Sequence, residues 1–142
     1  MKVFLDANVL VSVINKEYPV YGYSARILSL TENSRYKIYT SPICLAIAYY
    51  FAEKKCGNKL ARKKMDILIE NLKITVVNQE IILAANTNKK VHDLEDGFQY
   101  YSALDSGCEF IVTENGKDFH FSEIPVLSSR AFCEKHVFKN AK

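Results

Sequence analysis

Apolar and polar positions fall into blocks along the chain, short β-type runs alternating with longer stretches at helical spacing. The strand candidates are residues 2–6, 37–40, 74–77, 110–113 and 126–127, and the helical candidates are 23–32, 42–55, 59–71, 79–88, 94–106 and 129–135. Ser41-Pro42 reads as an N-cap followed by proline in the first turn, and Gly57 and Gly107 read as helix stops. Leu94, Phe98, Tyr101 and Leu104 recur at three- and four-residue spacing, which predicts that this face of its helix packs on the sheet. Strands separated by helices are accommodated best in a parallel sheet covered on both faces. The expected fold is α/β, a three-layer α/β/α sandwich around a parallel sheet of about five strands. No linker, repeat or low-complexity tract interrupts it, so residues 1–142 are read as one domain.

Composition narrows the class without choosing a function. A chain of 142 residues with 49% apolar and 25% charged residues matches a soluble globular domain. No apolar stretch approaches the roughly 20 residues that span a bilayer. At the N-terminus, Lys2 precedes only Val3-Phe4-Leu5 before Asp6, which does not resemble a signal peptide, so a cytoplasmic location is expected. A net charge of +3 permits basic patches but does not argue for nucleic-acid binding by itself. Cys44, Cys56, Cys108 and Cys133 are scattered, without a CxxC pair or a His at ligand spacing; Cys44 and Cys108 sit among apolar neighbours and read as small core fillers.

The chemistry lies in three acidic clusters. The run Lys2-Val-Phe-Leu ends in Asp6-Ala-Asn8, which places a carboxylate where a buried strand emerges, the edge at which open α/β sheets bind ligands. Asp6 can serve there as a helix N-cap, or as a metal ligand oriented by Asn8. In Asp93-Leu-Glu95-Asp96, Asp93 can cap a helix with Asp96 completing a capping-box-like arrangement, and first-turn acids also gain from the helix dipole. Three carboxylates in four residues exceed what capping needs, and Asp96 would project toward the sheet edge. Thr113-Glu-Asn115-Gly116-Lys-Asp118 follows a third apolar strand; Asn115-Gly116 is a turn pair, and Asp118 can open a short helical turn. Carboxylates converging on one edge repel one another unless a divalent cation joins them. Oxygen donors suit Mg²⁺ or Mn²⁺ rather than Zn²⁺, and such an ion activates water and stabilises phosphoryl charge, which points to phosphodiester hydrolysis.

Leu5-Asp6-Ala-Asn8-Val-Leu10, Ser41-Pro42 before an apolar helix, Glu95-Asp96 opening a later helix, and Thr113-x-Asn115-x-x-Asp118-Phe119 after a strand resemble, in order and spacing, the PIN domain family, which includes the VapC-type toxins of toxin–antitoxin pairs. The resemblance covers nearly the whole chain. It implies a PIN-like sandwich and a metal-dependent ribonuclease site, with Asp6 and Asp96 at two of the family's acidic positions and Asp118 in its fourth motif. Asn115 stands where that motif usually opens with an acid, and Ile47 where the family commonly has a Glu; Glu53, six residues on, faces elsewhere on a helix. Asp93 and Glu95 are the nearby candidates to compensate. The resemblance also implies RNA as substrate, an antitoxin that blocks the cleft, and a homodimer.

The remaining features have ordinary readings alongside functional ones. The basic stretch from Lys54 to Lys64 reads as a solvated helix face or as phosphate contacts for RNA. Tyr49, Tyr50, Tyr100 and Tyr101 read as half-buried packing. Tyr18, Tyr21 and Tyr23 are expected in a loop around Pro19. His92 and His120 lie near acidic clusters without ligand spacing, and 139–142 is expected to be a frayed tail.

The leading expectation is a Mg²⁺- or Mn²⁺-dependent endoribonuclease in which Asp6, Asp96 and Asp118 hold the ion while Asn8 and Asn115 orient water or the carboxylates. Its alternative is a catalytically degenerate PIN module that binds RNA or a protein without cutting. A haloacid-dehalogenase-like phosphatase also begins from a strand-end Asp, but Asn8 stands where that family's second Asp belongs.

Overall fold

The computed structural model describes residues 1–138; the tail expected at 139–142 lies outside the described residues. Five strands, β1 (Lys2–Leu5), β2 (Lys37–Thr40), β3 (Lys73–Ile74), β4 (Phe110–Val112) and β5 (Val126–Leu127), form one sheet in the order β3-β2-β1-β4-β5. Every pairing is parallel, with Val3 opposite Ile38 on one side and opposite Phe110 on the other. The flanking helices are α1 (Ala7–Ile14), α2 (Tyr21–Ser29), α3 (Pro42–Asn71), α4 (Gln79–Thr87), α5 (Leu94–Asp105) and α6 (Ser129–Phe132), the last running on as a wider π turn at Cys133–Val137. This is the expected α/β arrangement. Val3, Phe4 and Leu5 are fully buried because β1 is central and covered on both faces, which is why its sequence is continuously apolar rather than alternating.

Helix signals in the sequence hold where they were strongest. Ser41 accepts the Cys44 N–H at 3.0 Å and Pro42 opens α3. Gly57 breaks α3 with φ +81° and ψ 168°, a conformation open only to glycine, between the two helical segments expected there. Past α5, the Gly107 N–H reaches the Leu104 carbonyl and the Cys108 N–H the Ala103 carbonyl, the paired bonds of a Schellman stop, with Gly107 at φ +80°.

Four expectations need correction. Residues 7–14 form α1, a helix absent from the sequence reading. Its ANVLVSVI segment is short and rich in β-branched residues, which favour strand over helix and hide a helix that is mostly buried. The face of α5 that packs inward carries Asp96, Gln99, Tyr100 and Ala103; Leu94 and Leu104 are exposed and Phe98 and Tyr101 only half-buried. The chain therefore turns polar side chains of α5 toward the sheet edge. Strand β3 is only Lys73–Ile74, not 74–77, because its one partner, β2, ends at Thr40; beyond it only the Thr75 N–H still bonds to Thr40. Tyr21 lies on α2, which starts two residues before the expected 23, rather than in a loop.

The chain runs from β1 outward to β2 and β3, then crosses back to place β4 on the other side of β1. This reversal leaves a crevice at the carboxyl ends of β1 and β4, the usual ligand site of such sheets.

Candidate metal-binding cleft

Asp6 stands where β1 leaves the sheet, in extended conformation, and is the N-cap of α1. Its Oδ1 accepts the Ala7 N–H at 2.8 Å and a longer Cys44 Sγ–H contact at 3.7 Å, and its Oδ2 accepts the Thr113 hydroxyl at 2.8 Å. The capping role and the place in the cleft are therefore held by the same residue. Only 6% of Asp6 is exposed. Burial raises its carboxyl above the ordinary value; the bonds from Thr113, Ala7 and Cys44 oppose that, and the Asp118 charge adds to it.

Thr113 is the organising residue that sequence reading passed over. Its hydroxyl donates to Asp6 and accepts from Asn8 Nδ2 at 3.1 Å and from the Asn115 N–H at 3.1 Å, which uses its full bonding capacity. Asn8 completes the stitch by accepting the Glu114 N–H at 3.1 Å. Asn8 thus orients Asp6 through Thr113, not directly. The signal available in the sequence was a hydroxyl residue closing a buried strand beside the acidic motif, too common to single out. Cys44, expected as core filler, is buried as predicted but also touches Asp6.

At the start of α5, Asp93 caps by accepting the Glu95 N–H at 3.1 Å. The capping-box-like bond from Asp96 is not made. Asp96 is 7% exposed, and among the described residues its carboxyl group accepts no hydrogen bond. Burial first, then the charges of Glu95, Asp6, Asp93 and Asp118, push it up to about 7. Glu95, half-buried, is raised by burial and by Asp6, Asp93 and Asp118, against a 3.1 Å bond from Gln99 Nε2. Asp118 is exposed in the 3₁₀ turn Gly116–Phe119, its N–H on the Asn115 carbonyl at 3.0 Å.

Asp6, Asn8, Asp96, Asn115 and Asp118, the five residues expected at the site, all line one cleft of about 420 Å³. Its walls also include Asp93, Glu95 and Ile47, and two residues that no motif singles out, Glu17 and Phe51. Those two arrive from the loop after α1 and from α3, so only tertiary folding brings them in. His92 and His120 do not line the cleft; they pack edge-on against each other, ring centres 6.4 Å apart. The basic stretch of α3 is partly committed: Lys55 donates to the Asn15 carbonyl at 2.7 Å, Lys54 lies over the Tyr50 ring and Arg62 over that of Tyr49.

The donor set fits a hard divalent cation. Every charged group in the cleft wall is a carboxylate, and among the described residues no Lys or Arg forms an ion pair with any of them. Their mutual repulsion is left for a counter-ion to relieve. Among the described residues no three His, Cys, Asp or Glu side chains are drawn close enough to hold an ion by themselves. A cation held here would therefore take only one or two direct carboxylates, with water completing its shell.

Fold and site together define an α/β protein with an oxygen-donor acidic cleft at the switch point of a parallel sheet. Residues 2–117 match the PIN domain family, and the chain belongs to it. The haloacid-dehalogenase reading falls with that assignment. The chain is 28% identical over 138 residues, 94% of each sequence, to Ribonuclease VapC1 of Aquifex aeolicus (strain VF5). Among solved structures, it superposes on a chain of VapBC2 from Rickettsia felis bound to a DNA fragment from their promoter, with TM-score 0.68 and 22% identity over 90% of this chain and 98% of that one. VapBC-1 from nontypeable Haemophilus influenzae gives TM-score 0.68 at 19% identity over 92% and 99%. Mycobacterium tuberculosis VapC20, a sarcin-ricin loop cleaving toxin, gives 0.60 at 14% over 77% and 86%. At these identities the structural likeness establishes the fold. Among the described residues no helix is long and apolar enough to cross a membrane.

Proposed function

We propose that this chain is a Mg²⁺- or Mn²⁺-dependent endoribonuclease and the toxin of a toxin–antitoxin pair. The observation that carries the reading is that Asp6, Asp96 and Asp118, from the end of β1, the start of α5 and the turn after β4, line one cleft and among the described residues pair with no Lys or Arg. The VapC1 relative, a ribonuclease by name, and the VapBC and VapC20 likenesses support it.

Asp6, Asp96 and Asp118 would hold the ion, directly or through its waters. When bound, a divalent ion lowers the pKa of coordinated water and stabilises negative charge on a phosphoryl oxygen. Thr113 holds Asp6 in one orientation, and Asn8 and Asn115 hold Thr113. Without an ion, burial and the neighbouring acids hold Asp96 up to about 7, and a cation bound beside it would favour its ionised form. Ile47 and Phe51 form an apolar wall beside these carboxylates, which lowers the local dielectric. An antitoxin would inhibit by covering the cleft, with cationic groups matching its charge.

The test is cleavage of unstructured RNA with Mn²⁺ by the wild type, Asp6→Asn and Asp96→Asn. Loss in both variants supports the assignment; equal activity in all three removes it. Ile47 favours one second reading, a PIN module that binds RNA or protein without cutting, because a side chain without a donor occupies the cleft wall. That module would show no Mn²⁺ site dependent on Asp6 and Asp96 in calorimetry.

A further inference from the structure

We propose that Glu95 supplies the carboxylate that Ile47 withholds from the cleft, and that Gln99 and Ser41 position it. The inference rests on the reading of the cleft as a cation site. Ile47, on the second turn of α3, lines the cleft with no oxygen to offer, and Glu95 lines the same cleft from the start of α5. Glu17 also reaches the cleft, but it is exposed, and Asp93 is engaged in capping α5.

Glu95 is held by a buried polar chain. Gln99 Nε2 donates to Glu95 Oε1 at 3.1 Å, while Gln99 Oε1 accepts the hydroxyl of Ser41. Ser41 Oγ in turn accepts the Cys44 N–H at 3.0 Å, and Cys44 Sγ contacts Asp6 Oδ1. Ser41, Cys44 and Gln99 are all fully buried. A buried amide must have both ends satisfied, which here fixes its orientation: the Ser41 hydroxyl faces its oxygen and the Glu95 carboxylate its nitrogen. Capping α5 would require none of this, since Asp93 already does it. The chain leads from Asp6 through the first turn of α3 to Glu95, so the helix that carries Ile47 also sets the acid that replaces it. One Glu95 oxygen is engaged by Gln99, and the other accepts no hydrogen bond among the described residues. Beside it Asp96, only 7% exposed, also accepts no hydrogen bond among the described residues, so its carboxylate is free to share a cation with Glu95.

The experiment is calorimetric titration of Mn²⁺ into the EDTA-stripped full chain, with circular dichroism on each variant to confirm folding. Wild type binds and Asp6→Asn does not. Glu95→Gln weakens affinity by about 10-fold or more, Gln99→Leu weakens it in the wild type but adds nothing in the Glu95→Gln background, and Ile47→Glu restores the affinity of Glu95→Gln. Wild-type affinity in Glu95→Gln, alongside loss in Asp6→Asn, overturns the role of Glu95 and leaves the cation site standing. Indifference to Asp6→Asn, or no binding by the wild type, overturns the cation site and Glu95 with it. A Glu95→Gln defect that Ile47→Glu fails to repair overturns the replacement of one acid by the other.

Discussion

The Thr113 hydroxyl donates a 2.8 Å hydrogen bond to Asp6 Oδ2 and so joins residues 107 positions apart at the ends of two neighbouring parallel strands. Backbone pairing brings those ends together, with the Asp6 N–H on the Val112 carbonyl at 3.0 Å, and the side-chain bond then sets the direction of the carboxylate.

Thr113→Val keeps the shape and removes the hydroxyl. It leaves Asp6 Oδ2 and Asn8 Nδ2 without this partner in a buried setting, so a loss of roughly 1–3 kcal/mol in urea unfolding is expected. Mn²⁺ affinity should fall with it, since Asp6 loses its orientation; Thr113→Ser, which retains the hydroxyl, should recover most of both.

Asp96 links stability to pH. Its carboxyl, raised from 3.8 to about 7, keeps in the folded protein a proton that the unfolded chain releases. Stability of the metal-free protein therefore falls as pH rises from about 4 through about 7, where the buried group is forced to ionise. Each tenfold change in proton affinity is worth about 1.4 kcal/mol, and neighbouring carboxylates share the relief, so Asp96→Asn should gain roughly 1–2 kcal/mol at pH 8 in EDTA. At pH 4 it should gain nothing. Thermal melts at the two pH values check both expectations, and below pH 7 protons should compete with Mn²⁺ for the cleft.

Gly97 lies where α5 approaches α4. A Cβ there would come within 2.9 Å of both Ala85 Cβ and Val91 Cγ1. Ala normally stabilises a helix interior by up to about 1 kcal/mol over Gly, but overpacking against a methyl on a neighbouring helix costs about 1–3 kcal/mol. Gly97→Ala should therefore destabilise, and by displacing the first turn of α5 it should also weaken Mn²⁺ binding through Asp96. Chemical denaturation and calorimetry on the same variant separate the two effects.

Gly57 is constrained for a different reason. Nothing lies within 4 Å of a Cβ built there, so space is not limiting; the backbone is, at φ +81°. Gly57→Ala should cost about 1–3 kcal/mol with no change in Mn²⁺ affinity, a result readable from denaturation and titration together.

Much of this molecule follows from local rules. The apolar runs become the five strands, Ser41-Pro42 and Asp93 start their helices, and Gly57 and Gly107 end or break theirs, because capping and glycine conformations depend only on neighbouring backbone. The sequence also supplied Asp6, Asn8, Asp96, Asn115 and Asp118, each beside a strand end or helix start. It did not show α1, a short run rich in β-branched residues, nor that α5 turns Gln99 inward while Leu94 and Leu104 meet solvent. The convergence of acids from three elements was expected once a parallel sheet was, but the hub at Thr113, the arrival of Glu17 and Phe51, and the chain from Asp6 through Cys44, Ser41 and Gln99 to Glu95 were decided by tertiary structure alone. Each depends on distances between segments far apart in sequence, and those are set by strand order and helix packing, not by any local preference.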